Sequence, residues 1–435
     1  MNRLITIISI VTIIASLSII GFMVYQNYQP LVASSAKVAQ SVVDFFPQAA
    51  SRLLSSPNGS STQFIFNPFG GGANQSVSVP EAPLLEKISP NPVASFSLLK
   101  SSAKTETLVY IEKDSGNIFS LKIVAPATST SSSTPNTPIR ISNLTIPAVF
   151  DAYFGFDQAK NVQALVRFPD KNRRLQIISL SIEPNTGSTT ASSTNPWLVK
   201  TAKLSPNIYN LAVSPDQSTV LYLENIGTRA IAYTAGFKLQ NKKLMLVTPF
   251  SDWEILWSAT NTAYFYPRPS ADYRASLYTL NLKDQSFKKT INSINGLTAL
   301  PAPGNQHVVY ANSFGNDFSL LVHSNKTGVN SDLFLKTLPE KCLWDNNLAT
   351  LFCAVPRQLS PGLYPDDWYL GKKSFSDALW MVYPELGKTS QLHAFSGPNE
   401  NFDIISLKQD SAHNFYFIDK KTWALYRLNS SRLFE

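Results

Sequence analysis

The side chains in this 435-residue chain that could do chemistry are few and scattered. His307, His323, His393 and His413 are its only histidines, and all lie in or beside alternating stretches that read as strands, where a surface or satisfied core histidine is the default. No Gly-x-Ser-x-Gly elbow, His-Glu-x-x-His pair or phosphate-binding glycine loop occurs. Asp366 and Asp367 are adjacent, so on an extended chain they point apart and make a poor acid-base pair. Calcium requires more oxygen ligands than they supply. Neither a cofactor nor a metal is expected.

Cys342 and Cys353, the only cysteines, flank an Asp-Asn-Asn turn in "KCLWDNNLATLFCAV". That places them on adjacent antiparallel strands, either bridged in an oxidising compartment or buried as two small apolar residues. A zinc site would need a further His or Cys pair that the spacing lacks. Seven of the twelve arginines, Arg167, Arg173, Arg174, Arg229, Arg268, Arg274 and Arg357, fall near the ends of strand connections. Guanidinium groups gathered there would take carboxylates or phosphates. The segment "GLYPDDWYLGKK" adds Tyr364, Asp366, Asp367, Trp368 and Tyr369, either as a contact surface or as a loop packing its own aromatics over the fold.

What positions these residues is a repeat. "NLAVSPDQSTVLYLE" consists of an apolar strand, a Ser-Pro-Asp turn and a second strand. The same plan recurs in "SFSLLKSSAKTETLVYIEK", "DAYFGFDQAKNVQALVRF", "EILWSATNTAYFYPR", "TALPAPGNQHVVYANS", "KCLWDNNLATLFCAV" and "DIISLKQDSAHNFYFIDK". Each is followed by another alternating strand. The aligned centres Tyr110, Val166, Tyr222, Phe265, Tyr310, Phe352 and Tyr416 are 42 to 64 residues apart. The shorter spacings match a four-stranded propeller blade, and Ser/Thr/Pro-rich loops or the insertion "PRQLSPGLYPDDWYLGKKSFSD" account for the longer ones.

With its Ser214-Pro215-Asp216 turn and strand spacing, the chain resembles the β-propeller repeats of TolB-type and WD-repeat proteins. It departs from them in carrying Gln217 where a glycine is usual and in having no Trp-Asp dipeptide at a third-strand end. The resemblance implies an all-β, seven-bladed propeller of four-stranded blades and carries no family function or binding residues with it.

The seventh repeat stops after three strands, which would leave an unpaired edge. The segment "EAPLLEKI", residues 81–88, is a strand candidate without another place, so Leu84 to Ile88 is expected to close the last blade. The propeller then spans 81–435. Second-to-third-strand connections share a face of the disc with the links between blades. All seven arginines and the insertion belong to that face, and the Ser/Thr-rich loops to the other.

Ahead of the repeats, Leu4 to Tyr25 is 22 residues without a charge, preceded by Arg3, with no positive charge until Lys37. That length spans a hydrocarbon core and places the N-terminus inside and the remainder outside the cytoplasm. A cleaved signal peptide, with small residues at 34–36, is the alternative. Residues 26–80 read as a stalk with a short amphipathic helix interrupted at Pro47. The net charge of +8 favours anionic neighbours, and a membrane location excludes nucleic acid. The expected function is a membrane-anchored, extracytoplasmic module that binds an envelope protein or an anionic wall polymer. A loop-built hydrolase or lyase and a purely structural surface protein are the other readings.

Overall fold

A computed structural model describes residues 83–102, 105–123, 137–185, 196–345 and 350–433. The expected membrane span at 4–25, the stalk at 26–80 and most of both Ser/Thr-rich loops lie outside them. Among the described residues no helix is long and apolar enough to cross a membrane.

The second strand of each repeat explains why the sequence folds into blades. Residues 108–111, 220–223 and 415–418 are continuous buried runs, because such a strand is covered on both faces by neighbouring sheets. All seven aligned centres, from Tyr110 to Tyr416, are at most 2% exposed. Fourth strands such as Trp197–Lys203 instead lie largely in solvent. The outcome is seven antiparallel sheets of four strands, a seven-bladed propeller. Blades 1 to 6 span 93–140, 151–203, 208–248, 253–295, 298–335 and 342–393.

Blade 7 takes three strands from 404–428 and its outermost from Leu85–Lys87, which pairs antiparallel with Leu425–Leu428. Leu85 lies opposite Leu428, Ile88 N donates to Leu425 O at 2.9 Å, and Asn429 N donates to Leu84 O at 2.8 Å. One apolar cluster then joins Phe96, Leu108 and Tyr110 of blade 1 to Tyr416, Ile418 and Leu425 of blade 7. The ends of the repeat region thus hold the ring shut.

Cys342 and Cys353 are directly opposite on the first and second strands of blade 6 and form a disulfide. They are buried within the cluster that packs blade 6 on blade 5. Blades 6 and 7 also meet through charge. Lys341 Nζ lies 2.7 Å from Asp403 Oδ1, 2.8 Å from Asp377 Oδ2 and 2.8 Å from Ile404 O, with none of the three side chains exposed.

Candidate functional site

The arginine face is built from turns. In the second-to-third-strand connection of blade 2, Asp170 accepts from Asn172 N at 2.8 Å and Arg174 N at 2.9 Å, and those donors hold its carboxyl below the usual range. The turn sets Arg173 at φ 61° and leaves it exposed, while Arg174 returns to Asp170 at 3.1 Å. Arg229 follows the Gly227-Thr228 turn of blade 3. Arg268 and Arg274 bracket the corresponding connection in blade 4. Arg173, Arg229, Arg268 and Arg274 are exposed and their guanidinium groups make no hydrogen bond or ion pair among the described residues, although Arg268 acts electrostatically on Glu254. They come from consecutive blades and so form an arc. Arg357, in blade 6, donates through Nε to Ser376 Oγ at 3.1 Å.

Arg167 does not belong to that arc, a correction to the sequence expectation. Its guanidinium is buried, with Nε on Asp151 Oδ1 at 2.7 Å, Nη2 on the other Asp151 oxygen and Nη1 on Tyr209 O at 2.5 Å. A fork already engaged with a carboxylate has no free edge for a ligand.

Of the two readings of the insertion, the structure favours the loop that packs its own aromatics over the fold, so Tyr364 and Trp368 are not an exposed contact surface. Tyr364 is 1% and Trp368 3% exposed, packed with Phe375 against Phe318 and Leu338. A one-turn helix, Asp366–Tyr369, turns Trp368 inward, and its Nε1 donates to Asp403 Oδ2 at 3.0 Å. Asp366 Oδ2 accepts from Ala271 N of blade 4 at 2.7 Å, and Tyr364 O accepts from Ser313 Oγ of blade 5 at 2.5 Å. Asp367 caps Leu363 N at 2.9 Å and pairs with Lys372 at 3.3 Å; the cap holds its carboxyl low. Both aspartates therefore bind backbone. Gly296 makes room for the contact: it has φ +58°, and a Cβ there would stand 2.3 Å from Ser313 Oγ and 2.9 Å from Tyr364 O. Tyr369 alone of the insertion's aromatics on that helix stays partly open, its hydroxyl on Glu340 Oε1.

Toward the axis, the structure adds two carboxyls that the sequence does not single out. Glu254, on the first strand of blade 4, accepts from Asn210 Nδ2 at 2.6 Å. Burial pushes its carboxyl up, opposed by Asn210 and by Arg268 and Arg167. Glu340 is surrounded by protein beside Tyr369, and burial pushes it up as well. Carboxyls raised by burial have the character of proton donors and acceptors. Neither stands in a motif: Glu254 lies on a first strand and Glu340 in the 3-10 turn Pro339–Lys341 just before one. Among the described residues no group of three or more His, Cys, Asp or Glu side chains is arranged to hold a metal ion.

Gln217, the residue that departs from the usual turn glycine, also acts at a distance. From φ 62° its side chain reaches blade 1, accepting from Lys100 N at 3.0 Å and donating to Leu98 O at 2.7 Å.

No family model matches the sequence, and no curated protein matches it. Solved structures match in fold. A crystal structure of an oligogalacturonate lyase from Vibrio parahaemolyticus is 9% identical over 81% of this chain and 94% of its own, with a TM-score of 0.52. TolB from Acinetobacter baumannii is 11% identical over 77% of this chain and 78% of its own, with a TM-score of 0.36. The extracellular domain of a putative hybrid two-component system from B. thetaiotaomicron is 13% identical over 79% of this chain and 39% of its own, at 0.43.

Proposed function

We propose that the protein is an envelope binding module, anchored by residues 4–25 with the propeller outside the cytoplasm, whose arginine face takes an anionic wall polymer. The observation that carries this reading is the arc of Arg173, Arg229, Arg268 and Arg274, four exposed residues over blades 2 to 4 whose guanidinium groups make no hydrogen bond or ion pair among the described residues. A single disulfide as the only use of cysteine supports an oxidising compartment. The uncharged 22-residue stretch behind Arg3 supports the anchor and its orientation. The test is co-sedimentation of the full-length protein with purified anionic wall polymer, alongside protease access to the propeller in intact cells and in lysates. Binding that saturates and weakens with salt, with cleavage in cells stripped of their wall, is the expected result. A propeller protected until the membrane is broken would overturn the location. Retention on an acidic protein but not on the polymer would replace the ligand.

A second reading, a hydrolase or lyase working at the axis, draws on the raised carboxyls of Glu254 and Glu340 rather than on Asp366 and Asp367, which are occupied by backbone. Turnover of a glycoside or ester panel that disappears in both Glu254→Gln and Glu340→Gln would favour it over simple binding.

A further inference from the structure

Away from the arginine face, the inner strands of blades 7, 1 and 2 and the Ser-Pro-Asp turn of blade 3 line an open pocket of about 320 Å³. Its wall includes Phe96, Ser97, Tyr153, Ser214, Gln217 and Lys408. The last of these is placed by a bulge. Strand pairing in blade 7 slips between Ile405 and Lys408, with Ser406 at φ 56°, and such a slip re-aims the side chain that follows. Lys408 Nζ consequently lies 5.5 Å from the centroid of the Phe96 ring at the cavity wall.

The ammonium group has no carboxylate, carbonyl or hydroxyl partner among the described residues, and neither has the Ser97 hydroxyl. Lys408 is half-buried, and a partly desolvated cation without a counter-charge is costly, so proteins ordinarily pair it. Burial alone pushes the Lys408 ammonium down to about 8, so near neutral pH it still carries its charge. The polar groups around the cavity are otherwise engaged. Tyr153 OH accepts from Arg167, Ser214 Oγ donates to Asp216, and Gln217 is committed to blade 1. Two unpaired donors, one positive charge and the apolar surfaces of Phe96 and Pro215 therefore line one pocket open to solvent.

We propose that this cavity binds a small organic monoanion, its carboxylate received by Lys408 Nζ and Ser97 Oγ and its apolar body lying against Phe96 and Pro215. A single cation matches a single negative charge, and two donors match the two oxygens of a carboxylate. A phosphate dianion would bring more charge and more oxygens than these groups satisfy. Gln217 holds the wall in place by tying the turn of blade 3 to blade 1, a positioning role. The site is separate from the arginine face and stands whether or not that face binds a polymer.

The test uses the full-length protein in detergent micelles, titrated by calorimetry at pH 7 with benzoate, acetate, benzamide and inorganic phosphate. Saturable benzoate binding is expected, at least tenfold weaker in Lys408→Met, weakened less in Ser97→Ala, and absent for benzamide. Lys408→Met should melt no lower than the unaltered protein, which shows that lost binding is not lost folding. The variant with Arg173, Arg229, Arg268 and Arg274 all changed to Ser should bind benzoate normally, which separates this site from the polymer face. Benzoate binding that survives Lys408→Met, equal binding of benzamide, phosphate binding as tight as benzoate, or no saturable binding of either benzoate or acetate would each overturn the proposal.

Discussion

Lys341 and Asp403 form an ion pair at 2.7 Å with neither side chain exposed, and the same Asp403 receives the indole N–H of Trp368. The pair therefore joins the blade 6 to blade 7 seam to the insertion that covers it. Asp377 completes the cluster from the third strand of blade 6.

Removing the cation from this cluster leaves two buried carboxyls without compensation. Lys341→Met should cost on the order of 3 to 5 kcal/mol in unfolding free energy. It should also raise amide exchange across 357–376. Adding Asp377→Asn and Asp403→Asn should recover part of the loss. A denaturant titration showing less than about 1 kcal/mol for the single change would contradict the role assigned to the cluster.

The cluster also sets a pH dependence. Burial raises the Asp377 carboxyl to about 6, against about 3.9 in an unfolded chain, so the folded state holds its proton more tightly. Its stabilising contribution is complete below about pH 4 and is lost as pH rises through 6. Lys341 and the other interactions of Asp403 lower that neighbouring carboxyl despite its burial, so Asp403 acts in the opposite sense, losing stability as pH falls. The unfolding free energy of the unaltered protein minus that of Asp377→Asn should accordingly decrease between pH 4 and pH 7. A difference constant over that range would show that Asp377 does not titrate there.

Ring closure can be tested by truncation. A chain beginning at residue 80 keeps Leu85–Lys87, whereas one beginning at residue 90 exposes Leu425–Leu428 and uncovers part of the cluster containing Ile88. The shorter chain should melt lower by about 5 °C or more. Equal melting temperatures would mean that the fourth strand of blade 7 contributes nothing to stability.

The polymer face predicts a salt-sensitive loss. Changing Arg173, Arg229, Arg268 and Arg274 to Ser should weaken retention on the anionic wall polymer about tenfold or more at low ionic strength. Four exposed charges worth roughly 0.2 to 1 kcal/mol each give that scale. The difference from the unaltered protein should shrink as salt shortens the Debye length below about 8 Å. Folding should be unchanged, because exposed substitutions usually cost less than about 0.5 kcal/mol each. Arg167→Ser is the contrasting case. It strands Asp151 in a half-buried site and should lower stability by about 1 to 3 kcal/mol.

By itself the sequence determined the strands, the seven repeats and the one-strand deficit of the last. Those properties follow from short-range rules: a strand covered on both faces must be apolar throughout, as at 108–111 and 415–418, and a Ser-Pro-Asp turn must reverse the chain. The tertiary structure decided which side chains remain free. Arg167 and Arg173 look alike at the ends of their connections, yet the Arg167 guanidinium meets Asp151 from the preceding strand and Tyr209 from the next blade, while that of Arg173 makes no hydrogen bond or ion pair among the described residues. Whether Trp368 is exposed or packed stays open in the sequence and is decided by Asp403, 35 residues later, which accepts its N–H. Gln217 looks like a lapse in a glycine turn until its amide reaches a strand more than 100 residues earlier. Lys408 looks like an ordinary strand lysine until a bulge turns it into the cavity. Each outcome depends on contacts between blades, which leave no periodic trace in the chain because the partners are distant in sequence and are brought together only when the ring closes.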